Sequence, residues 1–314
     1  MSHDFRLLMI GAMYENGGNT SHRFLDGHPQ LFTYPYESQV GTRLVTDQFT
    51  TTFPQKYRWP TFALHATPAE DYFAIIDEEG KIRSRTPNVS KFRDHPFDMN
   101  DDERRDIYMR IVEEIGRSRP NNMQAFFRAT FDAWKDFNRS GDEQVHVGYS
   151  PVITVDADKI LDDLPASHFL HIVRNPWSAY ADTKKRPVPL PLATYMTQWS
   201  LNQYFALLFR ERYPDRMHVV RTEDVMADSR AALGPVLDAM GLDGSADSLT
   251  VPSWNGRELE QVYPWGTIRN ASPEANLATA QELSVAEQDE VRQRTWQYLD
   301  VLDYASFLDT PVTA

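Results

Sequence analysis

The chain has no cysteine among its 314 residues. Disulfides, a thiolate nucleophile and cysteine-ligated zinc are therefore excluded. Residues 1–4 lack the basic and apolar regions of a signal peptide, and no apolar run approaches the roughly 18 residues that span a bilayer. We therefore expect a cytoplasmic protein, bacterial in origin, with no membrane partner.

Positive charge is also scarce, because 32 Lys and Arg residues face 45 Asp and Glu residues, for a net charge of −13 at pH 7. This excess of negative charge argues against nucleic acid as a partner. The chain also lacks Gly-Lys-Ser and Gly-Lys-Thr, so no loop lysine is available for the β/γ-phosphates of a P-loop triphosphatase or kinase. A single anionic ligand remains compatible, because local cations decide its binding.

The remaining composition is that of an ordinary globular protein, with 41% hydrophobic and 25% charged residues. The length is sufficient for a large α/β core, and we expect a single domain over residues 1–314. Residues 48–140 mix aromatic, proline and charged residues, which favours an inserted lid or acceptor-binding helical region. Its second part, residues 101–138, shows helical periodicity, and Pro120 divides it into two helices.

The most informative segment is residues 169–176, where an apolar, β-branched run leads into Arg174 and then Asn-Pro. Such a run predicts a buried parallel strand that ends at the turn. Arg174 would then lie at the carboxyl end of a strand, where α/β folds bind ligands, and a helix would follow. A guanidinium beside the start of a helix is suited to binding an oxyanion. An arginine that only caps the end of a strand would give the same sequence pattern.

Two further segments carry related signals. Residues 5–29 read as a strand, a loop containing Gly17 and Gly18, and a short helix that Thr20 or Ser21 could cap. Residues 219–242 read as a strand followed by a helix that ends in Gly-Leu. The glycines would allow backbone N–H groups to approach a phosphate closely.

In order and spacing these segments resemble the sulfotransferases that use 3′-phosphoadenosine 5′-phosphosulfate (PAPS), in particular the carbohydrate- and tyrosylprotein-type branch. The segments 25–29 and 171–176 are the closest matches. The resemblance implies an α/β fold, a P-loop-like three-layer sandwich with a central parallel sheet flanked by helices. It also implies a monomer or homodimer, PAPS as co-substrate, no required metal, and a carbohydrate or small-molecule natural product as acceptor.

Carried over residue by residue, the resemblance assigns PAPS binding to the first loop and its helix, to the strand-end arginine with a nearby serine, and to a basic carboxy-terminal segment. These residues are Asn16, Gly17, Gly18, Asn19, Thr20, Ser21, Arg174, Ser178 and Arg257. Trp254, close to Arg257, could stack on adenine, although a tryptophan is more often part of a core.

The chain departs from the family pattern at two points. The first loop lacks the lysine or arginine that normally contacts the leaving 5′-phosphate oxygen. Eight residues after Arg174, where the family usually has a serine, the chain has Asp182, whose charge would repel a 3′-phosphate. Arg23, or one cation of residues 184–186, could supply the missing charge, although cations at a helix end also suit the helix dipole.

Sulfuryl transfer needs a base for the acceptor hydroxyl, and Glu37 is our candidate for that role. In the carbohydrate- and tyrosylprotein-type branch that the chain resembles, a carboxylate or histidine follows the first helix, as Glu37 does here. A structural glutamate that binds loop N–H groups is the simpler interpretation. Arg43 could hold Glu37 or bind an acidic group of the acceptor, and we expect His28 to bond backbone.

Two alternatives remain open at this point. Asp156 and Asp158 form an Asp-x-Asp pair, which metal-dependent glycosyltransferases use to hold a divalent cation. The same two residues also precede a predicted helix, where aspartate is favoured for other reasons. The second alternative is a binding protein that retains the sulfotransferase fold but has lost or changed its donor.

Overall fold

The computed structural model describes residues 5–34, 36–77, 95–259 and 273–309. Its centre is a five-stranded parallel sheet with the order β2-β3-β1-β4-β5. The strands are β1 Leu7–Ala12, β2 Leu31–Thr33, β3 Val145–Pro151, β4 His168–Val173 and β5 Met217–Arg221. A separate antiparallel hairpin pairs β6 Ser253–Trp254 with β7 Arg257–Glu258.

Helices flank the sheet. They are α1 Gly18–Leu25, α2 Pro68–Ala74, α3 Asp101–Ile115, α4 Arg119–Ala133, α5 Ala157–Asp163, α6 Pro176–Lys184, α7 Leu192–Arg212, α8 Thr222–Ala227, α9 Ser229–Ala239, α10 Pro273–Ala280 and α11 Val285–Leu299. The α/β fold class expected from the sequence is confirmed.

The layers follow from the alternation of side chains along the buried strands. On one face, Leu7 and Met9 of β1 pack in a cluster with side chains of α3, α4 and α5. On the other face, Leu8 and Ile10 pack in a cluster with side chains of α1 and α9. Because both faces are covered, the strands are apolar at successive positions, which is the pattern seen in residues 169–173.

The register brings the carboxyl ends of the central strands to one edge of the sheet. Ala12 at the end of β1 lies opposite Pro151 of β3 and Ile172 of β4, and Val173 lies opposite Arg221 of β5. The loops that leave these strands therefore meet at this edge, which is where parallel sheets bind ligands.

The helices expected between residues 101 and 138 are present as α3 and α4, and Pro120 lies in the first turn of α4. The side chain of Asn100 caps α3 by accepting a hydrogen bond from the N–H of Glu103 at 3.0 Å. That residues 48–140 form a lid stays a prediction. Within the residues described, no helix is long and apolar enough to cross a membrane.

Candidate functional site

The loop after β1 turns sharply into α1. Gly17 is the residue before the helix and has φ +80°, a left-handed conformation that glycine adopts without strain. The expectation that Thr20 or Ser21 caps the helix is wrong, because α1 already begins at Gly18. Thr20 and Ser21 lie in its first turn, and the Ser21 hydroxyl donates to the carbonyl of Gly17 at 3.2 Å.

Both glycines are also required by close packing. A Cβ atom on Gly17 would lie 2.5 Å from Oγ1 of Thr222, and one on Gly18 would lie 2.5 Å from Cε2 of Tyr149. The loop is therefore pressed between the ends of β3 and β5. The N–H groups in the first turn of a helix have no acceptor within the helix, so this turn is the part of the loop suited to a phosphate.

Asn16 holds this loop together. Its buried side chain accepts hydrogen bonds from the N–H of Arg174 at 3.0 Å and from Nε1 of Trp199 at 3.2 Å, and donates to the hydroxyl of Tyr195 at 3.0 Å. Its carbonyl accepts from Oγ1 of Thr222 at 2.5 Å. The structure thus gives Asn16 a positioning role between β1 and β4.

Arg174 follows β4 directly and lies beside this loop, as its place in the sequence predicts. Its Nη1 donates to the carbonyl of Glu15 at 3.1 Å and to Oδ2 of Asp182 at 2.8 Å, and its Nε donates to Oδ1 of Asn276 at 2.8 Å. The hydroxyl of Ser178 donates to the carbonyl of Asn276 at 2.6 Å. Arg174 and Ser178 are thus brought together, and α10 contacts both through Asn276.

Glu37 lies in the segment after β2, close to two buried or half-buried tyrosines of the same edge. The N–H of Ser38 donates to the carbonyl of Tyr149 at 2.5 Å, which fixes this segment alongside β3. Burial raises the pKa of Tyr149 well above its usual value, and the negative charges of Glu37 and Glu15 add to that rise in pKa. Glu37 is half-buried, and one of its carboxylate oxygens accepts from Nε2 of Gln39 at 3.3 Å. Pro35 lies outside the described residues.

Arg186 is the cation of residues 184–186 that reaches the loop. Its guanidinium lies 5.1 Å from the ring centre of Tyr14, and its Nε lies 4.0 Å from a carboxylate oxygen of Glu15. Burial raises the pKa of Tyr14, while the charge of Arg186 works against that rise. Arg186 thus stands beside the loop that lacks its usual cation.

The other candidate cations are bound elsewhere. Nζ of Lys184 lies 2.7 Å from Glu287, and Nζ of Lys185 lies 3.1 Å from Asp182. Arg23 is buried, and its Nη1 lies 3.0 Å from Oδ2 of Asp26. None of these three pairs involves the loop before α1.

Arg257 is not brought together with the other predicted donor contacts. It is exposed on the β6–β7 hairpin, which contacts Asp26 and Gly27 at the carboxyl end of α1. The first turn, predicted to bind phosphate, is at the opposite end of this eight-residue helix, roughly 12 Å away along its axis. Trp254, in β6 of the hairpin, is buried, with the ring centre of His95 at 4.6 Å and the guanidinium of Arg23 at 5.1 Å.

Comparisons with known proteins identify the family of this chain. A sequence model described as the Sulfotransferase family matches residues 9–247, which is most of the chain. The chain belongs to the sulfotransferase family. A comparison with curated protein sequences finds no match.

Two solved structures share the fold. One is described as the sulfotransferase domain from the curacin biosynthetic pathway, with a TM-score of 0.51, 13% identity, and coverage of 96% of this chain and 98% of that chain. The other is described as the sulfotransferase domain from the Synechococcus PCC 7002 olefin synthase, with a TM-score of 0.50, 14% identity, and coverage of 94% and 95%. At this identity the similarity shows the fold alone.

A groove of about 1370 Å³ is lined by side chains from α2 and from the segments before it. Its lining includes exposed apolar side chains, the cations Arg43 and Lys56, and the carboxylates Glu70, Asp71, Asp77 and Asp101. Nζ of Lys56 lies 5.0 Å from the ring centre of Tyr57, and Tyr57 in turn packs edge-on against Tyr14 at 6.0 Å. The groove is therefore connected to the loop through two aromatic rings.

The Asp-x-Asp pair has a structural role. Asp156 is fully buried, and its carboxylate accepts from Nε of Arg58 at 2.7 Å, from the N–H of Trp59 at 2.9 Å and from Nζ of Lys159 at 2.6 Å. Among the residues described, no group of three or more His, Cys, Asp or Glu side chains could hold a metal ion. His28 bonds backbone as expected, through Nε2 and the carbonyl of Asp243 at 2.9 Å.

Sequence reasoning did not find Tyr14, Tyr149 or Asn276 as members of this site. Asn276 lies beyond residues 9–247, and no motif surrounds it. Tyr149 is the last tyrosine before the end of β3, so a rule that collects polar side chains at strand ends would have found it.

Proposed function

We propose that this sulfotransferase moves a sulfuryl group from an adenosine 5′-phosphosulfate nucleotide, of which PAPS is the family's usual form, to a hydroxyl of a carbohydrate or small natural product. The observation that carries the proposal is the meeting of the Gly17–Gly18 turn, Glu37 and Arg186 at the carboxyl edge of the sheet. A phosphate-binding turn, a carboxylate base and a cation are the parts that the reaction needs.

On the donor side, the 5′-phosphosulfate lies at the first turn of α1, where Gly18, Asn19 and Thr20 present backbone N–H groups. The N–H of Ser21 donates to the carbonyl of Gly17 at 2.9 Å. Arg186 takes the place of the cation that the loop lacks. Arg174 and Ser178 face the rest of the nucleotide from the end of β4. Contact between the donor and Arg257 stays a prediction, because the hairpin lies at the far end of α1.

The reaction then requires one proton transfer and one displacement at sulfur. Glu37 removes the proton from the acceptor hydroxyl as its oxygen forms a bond to sulfur. The bond between sulfur and the bridging 5′-phosphate oxygen breaks, and that oxygen keeps the electron pair. Loop N–H groups and Arg186 stabilise the developing negative charge on it. The products are the sulfated acceptor, the nucleotide 5′-phosphate and a proton on Glu37.

On the acceptor side, the groove that holds Arg43 and Lys56 is linked to Tyr14 through Tyr57, whose ring lies between Lys56 and Tyr14 in this chain of contacts. Its exposed apolar side chains, among them Leu44, Leu64 and Phe73, suit an acceptor with an apolar part. Within the described residues no ion pair involves Arg43, so this side chain is suited to a carboxylate or other acidic group of the acceptor.

The assignment of the base is tested by Glu37→Gln, which removes the charge and keeps the size of the side chain. We expect kcat for sulfuryl transfer to fall at least about 100-fold, because general-base catalysis contributes that much or more. Calorimetric titration with adenosine 5′-phosphate (AMP) and with 3′-phosphoadenosine 5′-phosphate (PAP) should give nearly unchanged affinities. A Glu114→Gln variant on the exposed face of α3 serves as the matched control.

If Glu37→Gln retains turnover near that of Glu114→Gln, Glu37 is not the base. If transfer is lost together with nucleotide affinity, Glu37 acts on donor binding, and the proposed proton transfer fails.

A further inference from the structure

The cation at the end of β4 is already neutralised by the protein itself. Nη1 of Arg174 lies 2.8 Å from Oδ2 of Asp182, whose side chain is only 3% exposed. Nε of Arg174 donates to Oδ1 of Asn276 at 2.8 Å. The guanidinium therefore directs two of its donors at side chains of α6 and α10.

Further carboxylates surround this arginine. The second oxygen of Asp182 lies 3.1 Å from Nζ of Lys185, and Lys185 is shared with Glu282 at 2.7 Å. An oxygen of Glu223 accepts from Nδ2 of Asn276 at 2.8 Å. In the described part of the chain, two cations thus face three carboxylates, so these contacts leave no surplus positive charge for another anion.

We infer that Asp182 selects a donor whose ribose carries a free 3′-hydroxyl, so that adenosine 5′-phosphosulfate is preferred over its 3′-phosphorylated form. The inference rests on the proposed function, because it concerns the donor of that reaction. Asp182 and Asn276 already accept hydrogen bonds from Arg174, so a 3′-phosphate at this arginine would compete with both.

A carboxylate at this place distinguishes the two nucleotides by charge. It accepts a hydrogen bond from a ribose hydroxyl, and it repels a phosphate on the same oxygen. Carboxylates in dinucleotide-binding folds select NAD over NADP at the ribose 2′ position in the same way. Serine, the family's usual residue eight positions after the arginine, carries no charge that would repel the phosphate.

The test is calorimetric titration of the full chain with AMP and with PAP, the nucleotide products of the two donors. We expect the wild-type protein to bind AMP at least about tenfold more tightly than PAP, since like charges placed side by side weaken binding by this order or more. Asp182→Ser should bring PAP to an affinity equal to or above that of AMP. Asp182→Asn, which keeps the shape of the side chain, should shift the ratio in the same direction.

Glu114→Gln on α3 is the matched control, because it removes an exposed carboxylate that contacts neither Arg174 nor Lys185. The AMP-to-PAP ratio should stay unchanged in this variant. Tighter binding of PAP than of AMP by the wild-type protein would overturn the inference and leave the proposed function standing. A ratio that neither Asp182 variant changes would also overturn it. Binding of neither nucleotide would contradict the proposed donor and, with it, this inference.

Discussion

Asp156→Ala tests most directly whether Asp156 has a structural role or is a metal ligand. In the folded chain Asp156 is fully buried against Arg58, which is also fully buried. Two nitrogens of Arg58 donate to the two oxygens of Asp156, at 2.7 Å and 2.8 Å. Removal of the carboxylate therefore leaves a buried guanidinium with fewer partners.

The expected loss of unfolding free energy depends on the partners that Arg58 keeps. Breaking a buried ion pair costs about 3–5 kcal/mol. Arg58 retains a second carboxylate, since its Nη1 and Nη2 lie 3.0 Å and 2.7 Å from the oxygens of Asp47. We therefore expect a loss near the lower limit, about 3 kcal/mol of unfolding free energy, which corresponds to a fall in Tm of roughly 4–5 °C for a chain of this length.

The control is Asp158→Ala, because its carboxylate is 30% exposed and its contact with Arg212 is 4.0 Å long. An exposed ion pair contributes about 0–1 kcal/mol, so Tm should change little. Both variants and the wild-type protein are melted with circular dichroism detection, with and without manganese. An unchanged Tm in Asp156→Ala, or a wild-type Tm that rises with manganese and no longer does so in either variant, would refute this reasoning and favour a metal site.

Two further predictions concern charge. Arg186→Met should lower kcat/KM for transfer about 10- to 100-fold, because one charge-assisted contact to the transition state is lost. Lys184→Met should leave kcat/KM nearly unchanged. Equal effects of the two variants in steady-state assays would remove Arg186 from the site. Burial lowers the pKa of His171 from 6.5 to about 4. The unfolded chain therefore binds a proton that the folded chain does not, and the free energy of unfolding should fall as pH drops from 6.5 towards 4. Urea denaturation of His171→Gln should show a shallower fall over that range; an identical slope would contradict the assignment.

The sheet and its carboxyl edge could be predicted from the sequence because buried parallel strands leave a strong local signal. Residues 169–173 are apolar at every position except His171, and they form β4 as expected. The histidine fits because Nδ1 bonds the hydroxyl of Thr154 and Nε2 bonds Oε1 of Gln203, each at 2.8 Å. β2 was not predicted as a strand, since a three-residue strand is too short to show a period.

The contacts within the site could not be predicted in the same way. Asn276 lies 102 residues from Arg174 in sequence, and only the packing of α10 against α6 brings them together. The residue that caps α1 was missed because a hydroxyl side chain is the usual signal of an N-cap. This helix begins instead after Gly17, which has a positive φ and no side chain. Arg257 was assigned to donor binding by family resemblance. The hairpin that carries it contacts the carboxyl end of α1, opposite to the first turn.

The central claim is sulfuryl transfer itself, and mass spectrometry of an acceptor panel tests it most directly. The purified protein is incubated in metal-free buffer with adenosine 5′-phosphosulfate or PAPS and with hydroxyl-bearing carbohydrates and small natural products. We predict that at least one acceptor gains a single SO₃ group, in an amount equal to the nucleotide 5′-phosphate released, and that Glu37→Gln does not form this product. Tight binding of the nucleotide without any sulfated product across the panel, or product formation that depends on an added metal, would contradict the account.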